Sequence, residues 1–209
     1  MLMNRRFFQR MLITGMAMAV AFQAPVFAEE PKEQAALALV KNIGDEAIKT
    51  LSDKSLSEQQ KQVRFEKFLD GSFDMKRIGR FVLGQYWRSA TPEEQSEFLK
   101  VFRDFMVSSY SEKIGSYSGE NLEFKDVTSL NDKESLVHSL IVQPNGPPVK
   151  LDWRVRKTDQ GEKIVDVIIE GISMAQTQRS EFASVVSQPG VGVSGLINKL
   201  KEQINTASK

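Results

Sequence analysis

Histidine occurs once in this 209-residue chain, at position 138, and cysteine not at all. Any serine triad or imidazole metal site must therefore use His138, and thiol catalysis, disulfides and thiolate metal sites are closed to the chain. His138 stands mid-strand between Val137 and Ser139, with no feature marking a nucleophile elbow, and reads as a histidine on a sheet surface. Asp152, Asp166 and Glu170 could pair carboxylates across neighbouring strands, the arrangement a glycosidase or isomerase needs. They fall at alternating positions of amphipathic strands, where solvated faces carry such charges. Gly190, Gly192 and Gly195 spell G-x-G-x-x-G, which binds dinucleotides only in a strand-turn-helix unit with a second strand and an acid beyond it. Here the glycines follow a helix near the chain end and read as a helix-to-helix turn. No catalytic, cofactor or metal-ligating set emerges, and the chain is expected to catalyse no reaction.

The elements that would carry these residues form a helical first half, a strand-rich stretch and a helical tail, the pattern of one α+β domain. Residues 31–51 place Ala35, Leu37, Ala38, Ile43, Ala47, Ile48 and Leu51 at helical spacing, and 55–69 give a second helix ended by Asp70-Gly71. A short third follows over 73–83, with Ile78, Phe81 and Val82 on one face and Gly84 as its stop. Thr91, Pro92 and Glu94 spell an N-cap, first helical residue and capping box for a fourth helix over 92–117. Its apolar positions, Phe98, Leu99, Val101, Phe102, Phe105, Met106, Tyr110 and Ile114, spread wider than a usual stripe, so it should touch two things.

The period then falls to two. Residues 122–130, 134–143, 149–157 and 163–173 alternate apolar and polar side chains between short turns, an antiparallel meander of four strands. In the third, Val149, Leu151, Trp153 and Val155 face one way, Lys150, Asp152, Arg154 and Arg156 the other: one dry face, one wet. Helix returns over 177–187 and 194–205. Large rigid aromatics beside such a sheet can fill the space or hold it open, and composition does not separate the two.

The chain begins with a secretory signal: Arg5, Arg6 and Arg10, an apolar run over 11–22, then Val26-Phe27-Ala28, with cleavage expected after Ala28. That run is too short to span a bilayer, which takes about 20 residues. Arg5-Arg6-Phe7-Phe8 also fits the twin-arginine pattern, with Gln9 departing from the usual Leu, so both export routes stay open. Residues 29–209 are read as a single domain. Without the three leader arginines, 25 basic residues face 27 acidic ones, a balance that argues against nucleic acid as partner.

Several blocks carry a resemblance. Phe81-Val82-Leu83-Gly84-Gln85-Tyr86-Trp87-Arg88-Ser89-Ala90-Thr91-Pro92-Glu93-Glu94, residues 98–110 and Leu151-Asp152-Trp153-Arg154-Val155 are three of them. The most specific is Val165-Asp166-Val167-Ile168-Ile169-Glu170-Gly171-Ile172-Ser173-Met174, followed by Thr177-Gln178-Arg179-Ser180-Glu181-Phe182. Together they are similar to the MlaC or toluene-tolerance auxiliary family, periplasmic phospholipid-binding components of the ABC transport pathway that maintains outer-membrane lipid asymmetry. The resemblance implies an NTF2-like α+β fold, with a four-stranded antiparallel sheet and helices around an apolar lipid cavity. It also implies two docking partners, an inner-membrane ABC transporter complex with an MCE-type component and an outer-membrane lipoprotein-porin complex. Paralogues linked to hopanoids leave phospholipid and hopanoid cargo both open, through the Arg77-Ile78-Gly79-Arg80-Phe81-Val82-Leu83-Gly84 run.

Chosen by face and period, the expected cavity lining is Ile78, Val82, Phe98, Phe102, Phe105, Met106 and Tyr110 from helices, with Leu151, Trp153, Val165, Val167 and Ile169 from the sheet. One register slip would exchange half the sheet set. Arg179 is the candidate for partner docking. Phe102→Asp is expected to abolish lipid co-purification and leave export intact. The rival readings are an NTF2-like enzyme with a carboxylate or His138 aimed into the cavity, and a lipid-independent adaptor between membrane complexes.

Overall fold

The computed structural model describes residues 32–114 and 117–207, without the side chains of 110–114 and 207; the expected signal segment lies outside the described residues. Among the described residues seven helices and five strands follow in order: α1 (Lys32–Ser52), α2 (Glu58–Ser72), α3 (Met75–Leu83), α4 (Tyr86–Ser89), α5 (Pro92–Ile114), β1 (Asn121–Asn131), β2 (Glu134–Val142), β3 (Val149–Thr158), β4 (Gly161–Ile169), β5 (Ile172–Ser173), α6 (Met174–Val186) and α7 (Gly192–Ala207). The strands form one antiparallel sheet in sequential order, β1-β2-β3-β4-β5.

Local chemistry sets most boundaries. Glu94 N–H donates to Thr91 Oγ1 (3.2 Å) and Thr91 N–H to Glu94 Oε2 (2.9 Å), the capping box read from the sequence. A second box moves the start of α2 to Glu58: Gln60 N–H donates to Ser57 Oγ while Ser57 N–H donates to the Gln60 side chain. That helix runs past Asp70-Gly71 to Ser72, because Asp74 provides the next cap, accepting from Arg77 N–H at 2.9 Å. Gly84 stops α3 at φ 58° and ψ −127°, a conformation open to glycine and strained for any side chain. The one-turn α4 before Pro92 has no counterpart in the sequence reading.

The sheet has five strands where four were expected. The segment read as one strand over 163–173 folds back on itself at Glu170-Gly171, where φ is 50° and 80°. Positive φ at both central residues is the turn whose twist suits a two-residue hairpin, so Ile172 pairs back to Ile169. A further irregularity lies between β3 and β4: Arg154 pairs with Asp166 but Val155 with Ile164, leaving Val165 as an extra residue.

Two apolar clusters result. One joins α3, α5, α6 and α7 around Phe98, Phe102, Phe182, Leu196 and Leu200. The other packs Ala36, Val40 and Ile43 of α1 onto Val137, Leu151, Trp153, Val155 and Ile164 of the sheet.

Candidate functional site

A cavity of about 450 Å³ lies where the two clusters fail to meet. Leu151 and Trp153 of β3 pair directly with Ile169 and Val167 of β4, so the four share one face and make its floor. Phe65, Phe68 and Leu69 of α2, with Phe73 after it, form one wall, and Met75, Ile78 and Val82 of α3 a second. Phe102, Phe105, Met106 and Ser109 come from α5, and Met174, Ala175, Thr177, Gln178 and Glu181 from α6. Exposed Thr177 and Glu181 mark where it meets solvent.

The buried polar groups beneath the floor are occupied. Trp153 Nε1–H donates to Ser139 Oγ (3.1 Å), whose hydroxyl donates to the Leu151 carbonyl (2.6 Å), so the indole presents hydrocarbon only. Asp166 is buried in the lining and accepts from Val167 N–H (2.9 Å), Ala175 N–H (3.0 Å) and the Ser173 hydroxyl. The Ser173 oxygen in turn caps α6, accepting from Gln176 N–H at 3.0 Å. The block Asp166 to Met174 is thus a hairpin and a helix start in one, and it aims Met174 and Ala175 at the cavity.

Of the twelve lining residues expected from the sequence, the structure brings ten into this cavity: Ile78, Val82, Phe102, Phe105, Met106, Leu151, Trp153, Val165, Val167 and Ile169. Phe98 sits behind them with no exposed surface, stacked on Phe102 at 5.7 Å and edge-on to Phe182 at 5.9 Å. The side chain of Tyr110 lies outside the described residues. Phe102 belongs to wall and core at once, so Phe102→Asp would unsettle the fold as well as the cavity. Sequence reasoning missed the α2 wall, although Phe65, Phe68 and Leu69 stand at i, i+3, i+4. It also missed Met174 and Ala175, because α6 was started three residues late. Asp166 joins the lining because the Val165 irregularity breaks the alternation.

The expectation that the strand carboxylates are solvated is corrected. Asp152 is 4% exposed and Asp166 9%. Asp152 Oδ1 lies 2.9 Å from His138 Nδ1, and His138 Nε2 lies 3.0 Å from Thr128 Oγ1, a relay across three strands. Since Asp152 alternates with Leu151 and Trp153, this relay occupies the sheet face turned away from the cavity. Glu170 Oε1 accepts from Lys150 N–H and so ties the β4-β5 turn to the start of β3. Glu134 is 7% exposed, held by Arg154 and Arg156. Burial pushes its carboxyl up, but the two guanidiniums outweigh that and hold it below the usual carboxylate range. At the end of the same sheet, burial pushes Glu162 up against the weaker pull of Lys157 and Lys32. Among the described residues no three His, Asp or Glu side chains could hold a metal, and no helix is long and apolar enough to cross a membrane.

Arg179 points from α6 to the end of α3. Its guanidinium lies 5.1 Å from the centre of the Phe81 ring, and a Cβ on Gly84 would stand 2.9 Å from its Nε.

Comparison with known proteins places this geometry. The family model described as "MlaC protein" matches residues 41–202. The chain is 26% identical over 133 residues to the intermembrane phospholipid transport system binding protein MlaC of Haemophilus influenzae, covering 62% of this chain and 61% of that one. It is 22% identical over 106 residues to toluene tolerance protein ttg2D of Pseudomonas putida, covering 51% and 49%. The matches thus span from about half to about three fifths of these relatives' lengths. A phospholipid-binding protein of Ralstonia solanacearum, solved in complex with a phospholipid, superposes with a TM-score of 0.72 at 29% identity, over 83% of this chain and 99% of that one.

Proposed function

The chain belongs to the MlaC family, and on that premise we propose that it is a phospholipid-binding transport protein whose cargo occupies the α2-α3-α5-α6 cavity above β3 and β4. The observation that carries this reading is an apolar cavity of about 450 Å³ in a fold shared with a protein solved holding a phospholipid. Water entering such a cavity finds few hydrogen-bond partners on its apolar walls, so an apolar occupant is favoured over solvent. Exposing one chain of roughly fifteen methylenes to water costs about 12 kcal/mol. Cavity and acyl chain each relieve the other.

In the finer reading, the leader is removed after Ala28 and residues 29–209 work in the periplasm as a one-domain shuttle, without catalysis. The shuttle runs between an inner-membrane ABC transporter complex with an MCE-type component and an outer-membrane lipoprotein-porin complex, and maintains outer-membrane lipid asymmetry. Acyl chains move from bilayer to cavity with little net transfer energy, so binding alone gives no direction and the partners must supply it. The test is native mass spectrometry of the purified mature protein, with lipid extraction. Bound phospholipid is expected, and Val167→Trp, which fills the floor from a half-buried position, should lower it while the fold stays intact. An unliganded wild type would overturn the reading; a bound hopanoid would keep the carrier and change its cargo.

A further inference from the structure

Outside the cavity, α3 carries a second surface. Met75, Ile78 and Val82 face the cavity, while Lys76, Arg77, Arg80 and Phe81 border a shallow basic bowl completed by Arg88 of α4 and Arg179 of α6. Five cations there meet one acid, Asp74, in a chain whose charges nearly balance as a whole, 28 basic to 27 acidic. Among the described residues only Arg77 of the five has an ion-pair partner, Asp74 at 3.1 Å. Elsewhere Arg103 is ion-paired with Glu66, Asp70 and Asp104, and Arg154 and Arg156 share Glu134.

What holds the bowl's guanidiniums is aromatic. Arg80 lies over Trp87, 5.4 Å from its centre, and Arg179 over Phe81. Stacking fixes a guanidinium's plane and leaves its N–H edge free for an oxyanion, and such a fork suits phosphate. Phe81 itself is 41% exposed among these charges. Exposed apolar ring and unneutralised arginines together match the headgroup–acyl boundary of a bilayer, where the ring enters the apolar side and cations meet phosphates. An acidic protein surface would match the cations and leave the ring without a counterpart.

We infer that the bowl seats the protein on the phosphate layer of an anionic phospholipid membrane, which brings the far side of α3, and with it the cavity, close to the bilayer. The inference rests on the carrier reading and extends it from the cargo to the surface that meets its source; Arg179, expected to meet protein partners, is thereby given to lipid phosphates. The test is co-flotation of the mature chain with vesicles of phosphatidylglycerol and phosphatidylethanolamine, against vesicles of phosphatidylcholine alone. Wild type should float with the anionic vesicles, release at high ionic strength, and shift its Trp87 fluorescence on binding. Arg80→Glu with Arg88→Glu should weaken this by at least about tenfold. Bound-lipid content by native mass spectrometry, read on the same samples, tests the carrier reading separately and shows that the variant is folded. Equal flotation of wild type and variant would overturn the inference, as would absence of wild-type flotation at low ionic strength. Full vesicle binding by a variant that no longer engages a protein partner would assign the bowl to that partner instead.

Discussion

The two apolar clusters use similar residues to opposite ends. In the helical one, Phe98, Phe102 and Phe182 interlock ring on ring at 5.7 to 6.0 Å and all are under 4% exposed. In the sheet-side one, the small side chains Ala36 and Val40 let α1 lie close over Val137 and Val155, and that part is equally shut. Leu151 and Trp153 of that cluster, with Val167 and Ile169 beside them, also turn surface to the cavity, whose helical walls stop short of them. Whether an aromatic-rich interior is solid or hollow therefore turns on what stands opposite each ring. Phe98 has Phe182, whereas Trp153 faces space.

The sharpest way to break this contrast is at the residue both regions share. Phe102→Asp places a carboxylate inside the ring stack and should cost more than about 4 kcal/mol, enough to abolish the cooperative thermal transition by circular dichroism. A well-folded variant would mean that the stack is not the solid half. Next, Phe98→Ala should cost about 3–5 kcal/mol in urea unfolding with bound lipid per folded chain unchanged, whereas Phe105→Ala should cost less than half as much and lower the bound lipid.

Charge offers finer tests, both on the sheet side. Because Glu134 titrates below an ordinary glutamate, its contribution is present above about pH 4.3 and is lost as pH falls through its lower folded value. Glu134→Gln should then cost about 1–3 kcal/mol at pH 7 and flatten the acid limb of a stability profile. Glu162 has the opposite sign: its raised value favours the protonated form when folded, so its contribution fades as pH rises. One of its oxygens is buried without a hydrogen-bond partner. Glu162→Gln should raise stability at pH 7 by less than about 1 kcal/mol, with the gain vanishing in acid, when both side chains are neutral.

Periodicity made the order and type of most elements legible, because helices α1 to α3 and α5 and strands β2 and β3 each bury part of one face and β1 half-buries its own. It failed where local rules compete. Gly71 looked like a stop and lies inside α2, since the true end is set by the Asp74 cap. Glu170-Gly171 hid a turn inside an apolar run, and the alternation there hid the strand break. For the cavity, choosing residues by face found the floor and the α3 and α5 walls. It could not see that Phe98 points into the solid cluster, one helical turn from Phe102. Buried Asp152 was read as wet because alternation reports direction, while burial depends on the His138 and Lys150 side chains that cover it.

The Asp166–Ser173 junction carries one more implication. By pinning the first turn of α6 to β4, it sets the helix's rotational phase, and thereby decides that Gln178 and Glu181 look toward the cargo space while Arg179 looks toward the phosphate-seeking side. A helix turns about 100° per residue, so a single residue gained or lost between Met174 and Thr177 would swap those duties without altering any of the side chains that perform them. The hairpin acts as the molecule's timing mark: its length, more than the identity of the groups it presents, keeps oil and charge on their proper sides.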